Sequence, residues 1–122
     1  MPQITRKNRT KIELIHSIVE GMQDKKAQEI SVLNLSKIGS SVADYFIICS
    51  GQSSTQVEAI VDHIIEISYK KAGQRPWKQE GFTNKEWVLI DYVDVVVHVF
   101  QPEKRELYAL DMLWGDAEIT HF

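Results

Sequence analysis

Apolar positions along the chain repeat with two different periods. From Thr10, the residues Ile12, Ile15, Val19 and Met22 fall on one helical face, and Leu14 and Ile18 widen it. The polar residues 1–9 ahead of them are expected to be flexible. Gly21 weakens this first helix, and "QDKK" carries its exit. "EISVLNLS" then reads as a strand through Val32, Leu33 and Leu35, and "KIGSS" as a turn. "DYFIICS" is a second strand, apolar on both faces, as in the interior of a sheet covered on both sides.

The strongest periodic signal follows. Ser53 can cap a helix, and Gln56 completes a capping box. Val57, Ile60, Val61, Ile64 and Ile65 form the apolar stripe of that helix. Lys70 and Lys71 suit its negative end, and Gly73 can close it in a left-handed conformation. "RPWKQEGFTNKE" reads as a polar connection. "WVLIDY" and "VVVHVF" read as two strands in a tight antiparallel hairpin. Pro102 and Glu103 open a final helix or irregular tail carrying Leu107, Leu110, Met112 and Leu113. The order α-β-β-α-β-β-α predicts an α/β (α+β) fold, a mixed sheet with flanking helices.

Composition narrows the class. A chain of 122 residues, 43% hydrophobic and 25% charged, suits one soluble domain over residues 1–122. The single cysteine, Cys49, excludes an internal disulfide and a cysteine metal cluster, and fits a reducing compartment. A net charge of −3 weighs against affinity built on phosphate neutralisation. Arg6, Lys7, Arg9 and Lys11 could touch a polyanion, or simply form the solvated start of the first helix. No apolar run reaches the roughly 18 residues that span a bilayer, and no long apolar stretch follows the basic start. A cytoplasmic protein is expected, with no membrane and no direct DNA partner.

Three segments could carry chemistry. Gly51 sits between a strand and a capped helix, where backbone N–H groups can hold an anion. The loop lacks the second glycine and the lysine of a phosphate-binding motif, so it also reads as a plain tight turn. Asp91 and Asp94 could hold Mg²⁺ for nucleotidyl transfer, with Asp44 as a third ligand, or could be turn residues bonding their own backbone. His98 shares a strand face with Asp94, Val96 and Phe100, while Val95, Val97 and Val99 face the core. If Trp87, Leu89 and Asp91 pair beside them, an aromatic patch with a few charges results, as at protein interfaces. Trp77, Tyr92, Tyr108 and Trp114 could extend it, although some of these rings could equally be core. No serine or cysteine nucleophile carries a local signature.

"ADYFIICSG", "EG" at Glu80–Gly81, "WVLIDYVDVVVHVF" and "LYALDMLWGDA" together resemble the ribosomal silencing factor family, also called the Iojap family. The resemblance runs from about Val42 to Ala117. It implies a binding protein rather than an enzyme, with no cofactor and no metal, on a nucleotidyltransferase-like fold. Members dock on the large ribosomal subunit through its fourteenth ribosomal protein, on the face that meets the small subunit. Occupying that face blocks subunit joining and lowers translation under nutrient limitation, and organelle relatives serve ribosome biogenesis. The implied docking residues are Trp77, Lys78, Glu80, Asp91, Asp94, His98, Tyr108 and Trp114. The same aromatic face could pair two copies into a homodimer off the ribosome. The rival reading is a small metal-dependent nucleotidyltransferase using Asp91 and Asp94. An RNA-binding assembly factor using the basic N-terminus is a third. The family usually reads Asp-Tyr-Gly-Asp where this chain has Val93. A β-branched residue disfavours positive φ, so a turn of another type, or a bulge, is expected here.

Overall fold

The computed structural model describes residues 6–39, 43–109 and 117–122. Helix α1 spans Arg6–Asp24, followed by strands β1 (Gln28–Asn34) and β2 (Tyr45–Ser50) and helix α2 (Ser54–Ala72). Strand β3 (Lys78–Phe82), a turn at Thr83–Lys85, strands β4 (Trp87–Asp91) and β5 (Val95–Phe100), helix α3 (Pro102–Tyr108) and strand β6 (Glu118–His121) complete the order. One six-stranded sheet runs β3-β4-β5-β2-β1-β6. Strands β2 and β5 pair in parallel, and the other four pairings are antiparallel. The sheet is therefore mixed, as the pattern predicted.

The centre of the sheet is buried on both faces. On one face α1 and α2 pack over Ile47, Cys49, Val95, Val97 and Val99. On the other, Leu33, Leu35, Phe46, Ile48, Val96 and Phe100 form a second apolar cluster. Each fully buried Ile or Leu contributes roughly 1.5–3 kcal/mol against the exposed chain. Both β2 and β5 are sandwiched, so their near-continuous apolar runs are explained.

In α2, Ser53 caps as expected, its Oγ accepting from the Gln56 N–H at 3.1 Å. Gln56 returns its bond one residue earlier than a capping box would, to the Gln52 N–H. Gly73 ends the helix at φ +66°. The Gly51 loop is a close-packed turn: a Cβ there would sit 3.0 Å from Val57 and 3.2 Å from Ile60. Its N–H donates to the Phe100 carbonyl at 2.8 Å. Gly21 has a comparable reason, since a Cβ would come within 2.9 Å of Ile67 where the two helices cross.

Four features differ from the pattern. Helix α1 begins at Arg6, ahead of Thr10, and its buried line is Leu14–Ile18–Met22 while Ile12 faces outward. The connection "RPWKQEGFTNKE" contains strand β3, an edge strand whose exposed side chains left no apolar alternation to detect. Strand β6 supplies only Ile119 as an inward apolar residue, too little for a signal. Helix α3 opens on Pro102 as expected, and Arg105 ties it to the sheet through the Glu29 carbonyl, Ser50 and Ser31. Leu110, Met112 and Leu113 lie outside the described residues. Among the described residues no helix is long and apolar enough to cross a membrane.

Candidate docking surface

The β4–β5 register sets Trp87 opposite Phe100, Leu89 opposite His98 and Asp91 opposite Val96. These six residues do share one face, but the centre of that face is closed. His98 is 4% exposed and Phe100 1%. The Phe46 ring meets His98 edge-on at 4.7 Å, and Trp87 stacks on Phe100 at 5.0 Å. The Trp87 indole N–H donates to His98 Nδ1 at 3.2 Å, which fixes the imidazole proton on Nε2. Burial pushes the His98 pKa down to about 4, so the ring is neutral near pH 7. His98 is thus a core histidine and does not offer itself to a partner. A mixed strand face reads as open because an imidazole is polar, but an indole partner and three rings make it apolar enough to bury. Tyr92 is buried as well. Its hydroxyl bonds Ser68 Oγ at 2.7 Å, pinning the hairpin to the end of α2.

The open surface lies at the end of the same strands. Trp77 is 69% exposed, held by its N–H on the Asp91 carbonyl at 2.7 Å. The Lys78 ammonium sits 5.2 Å from the Trp77 ring centre and 3.1 Å from Glu80. Lys78 is opposite Asp91 and Glu80 opposite Leu89 across the β3–β4 pairing. Trp77, Lys78, Glu80 and Asp91 therefore gather at one edge. Tyr69 and Arg75, which the sequence did not single out, stack beside this edge at 4.2 Å. Tyr69 stands off the apolar stripe of α2, the one signal that could have marked it as exposed. The backbone of Tyr108 ends α3, while its side chain, like all of Trp114, lies outside the described residues.

The two aspartates of the hairpin are turn residues. Asp91 Oδ1 accepts the Val93 N–H at 2.7 Å. The Asp94 carbonyl accepts the Asp44 N–H at 2.8 Å and the Tyr45 N–H at 3.1 Å, locking the tip to β2. Asp44, the third acid of the metal reading, is held by Lys11 at 2.6 Å. That hydrogen bond, with the charges of Asp44 and Asp94, raises the Lys11 pKa against the opposing effect of burial. A lysine thus stands where a cation would have to bridge Asp44 and Asp94. Among the described residues, no three His, Cys, Asp or Glu side chains are placed to hold a metal ion.

Between the aspartates Val93 takes φ +77°, and the Asp94 N–H bonds the Tyr92 carbonyl two residues back at 3.1 Å. This is a γ-turn with its central residue in the strained hand. The turn is thus of another type, as expected, but it keeps at Val93 the positive φ that a β-branched residue disfavours. The Asx bond from Asp91 and the Tyr92 N–H bond to the Val95 carbonyl over-determine the loop. Such a residue stores on the order of 1–3 kcal/mol.

The model of the family "Ribosomal silencing factor during starvation" matches residues 8–121. The chain belongs to the ribosomal silencing factor family. Ribosomal silencing factor RsfS of Bacillus subtilis is 47% identical over 97 residues, covering 80% of each chain. Its namesake in Halalkalibacterium halodurans is 43% identical over 105 residues, covering 86% of this chain and 88% of the relative. A mouse protein named for mitochondrial assembly of the ribosomal large subunit is 30% identical over 82% of this chain, which spans 44% of that protein. Among solved structures, a Chromobacterium violaceum protein superposes with a TM-score of 0.78 at 36% identity, covering 85% of each chain. The Bacillus, Halalkalibacterium and mouse relatives are named as silencing or assembly factors. In this chain the open edge at Trp77, rather than an acid cluster, is the feature to explain.

Proposed function

We propose that the chain represses translation by docking on the large ribosomal subunit through its fourteenth ribosomal protein, blocking union with the small subunit when nutrients are short. Family membership supports the ribosome as target, and the mouse relative's name points to the large subunit. The observation that carries the surface assignment is the exposed Trp77, flanked by Lys78, Glu80 and Asp91 at the outer edge of the sheet. An exposed ring amid charges is the composition of an interface hot spot. A mildly acidic domain is attracted to a basic ribosomal protein without gripping rRNA, which gives modest rather than steep salt dependence. Tyr108 and Trp114 extend this surface in the proposal, and His98 supports it from beneath. Off the ribosome, β3, the terminal strand of the sheet among the described residues, offers the same surface to a second copy of the chain.

Co-sedimentation with separated large subunits, small subunits and joined ribosomes, at two salt concentrations, tests the proposal. Stoichiometric binding to large subunits, with exclusion of small subunits from the bound complex, is the expected result. Absence from every ribosomal particle would sink it.

A further inference from the structure

Val93 is 60% exposed at the tip of the β4–β5 hairpin. Of the six non-glycine residues with positive φ among the described residues, it alone is β-branched. With most of the side chain exposed, it gains little from burial, and its backbone conformation is one that β-branched residues resist. Strain kept at an exposed, rigidly determined position points to a use outside the chain.

The surroundings define that use. Asp91 and Asp94 flank Val93, and neither carboxylate forms an ion pair among the described residues. Lys78, opposite Asp91, pairs with Glu80 at 3.1 Å, and Lys11 pairs with Asp44 at 2.6 Å while also standing in the field of Asp94. The tip is therefore an exposed apolar knob flanked by two carboxylates, Asp91 turned onto the Val93 N–H and Asp94 lying in the field of Lys11. It adjoins Trp77, whose N–H rests on the Asp91 carbonyl. The complement of such a knob is an apolar hollow rimmed by Lys or Arg on a basic protein.

We propose that Val93 is a docking knob that enters such a hollow on the ribosomal partner and helps set the affinity of this chain for it. This rests on the docking function proposed above. The rigid turn presents the side chain in its bound orientation, so little ordering cost falls on association.

The test compares the full chain with Val93→Gly and Val93→Asn, both of which adopt positive φ readily. Melting temperature is measured alongside affinity for large ribosomal subunits from the organism that encodes this chain. Both variants should melt about 3–5 °C higher, because the strain is relieved. Both should bind about tenfold more weakly, because the buried methyl groups are lost. Asn keeps a side chain at the tip, so weak binding by both variants excludes loop flexibility as the cause. Wild-type binding matched by both variants within twofold would overturn the knob and leave the docking function standing. Variants less stable than wild type would overturn the strain on which the knob rests. No binding by the wild-type chain would overturn the docking function, and the knob with it.

Discussion

Seen from its two faces, the β4–β5 hairpin is two different objects. Beneath the helices, Val88, Ile90, Val95, Val97 and Val99 form a uniform aliphatic surface filled by α1 and α2. On the reverse, Trp87, Leu89, Val96, His98 and Phe100 form a surface of rings with one imidazole. The first buries itself by shape alone. The second needs a specific exchange in which the Trp87 indole satisfies His98 Nδ1 while Phe46 and Phe100 enclose the ring. Polarity on a strand is thus a poor guide to exposure when a neighbouring strand carries the matching donor. Exposure is set by distance from the sheet centre: the same hairpin is closed at His98 and open at Val93.

The largest effect that could break this comparison is at Phe100. If the ring face is core, Phe100→Ala should cost about 3–5 kcal/mol, as for any buried aromatic residue. Chemical denaturation reads this directly, and a loss below about 1 kcal/mol would mean the ring face is open after all.

His98 sharpens the contrast through pH. Its folded pKa of about 4 lies below the ordinary 6.5, so between these values the unfolded chain binds the proton and the folded chain does not. Stability from the neutral ring is then fully present above pH 6.5 and is lost as pH falls towards 4. The gap between 6.5 and about 4 corresponds to roughly 3 kcal/mol. Denaturation midpoints of the wild type should fall across that window, and those of His98→Leu should fall much less. Equal pH profiles for both chains would place the titration elsewhere. On the helix-covered face burial raises the pKa values of Cys49 and Tyr92, so neither titrates in this range.

How far the sequence disclosed this arrangement depends on how local the governing interaction is. Ser53, the α2 stripe and Gly73 act within a few residues, and the helix stands as its pattern predicts. The hairpin register was legible because β-branched alternation and a short turn constrain each other. The burial of His98 was not, because its donor lies on the facing strand and the Phe46 ring comes from β2, far away in the chain. Strand β3 was hidden for the opposite reason: an edge strand with solvated side chains has no apolar period to show. At the candidate surface, Trp77, Lys78, Glu80 and Asp91 were named from the sequence and stand together, while Val93 was read as a departure from the family's glycine that pointed to another turn type or a bulge, and its positive φ was not foreseen.

The smallest expected effect on stability is also the most informative about the open end. Trp77 is the largest exposed hydrophobic residue described, and its fold contribution is the backbone bond to Asp91, which any residue except proline can make. Trp77→Ala should therefore leave the denaturation midpoint within about 0.5 kcal/mol of wild type, whereas Phe100→Ala in the adjoining ring layer does not. If the open end is the docking surface, the same substitution should weaken large-subunit binding by at least about tenfold. The pair of measurements separates the two parts of one face: a ring that matters to the fold and not directly to a partner, and a ring that matters to a partner and not to the fold. Trp77→Ala chains that unfold readily would erase that separation, because they would make the exposed ring part of the core.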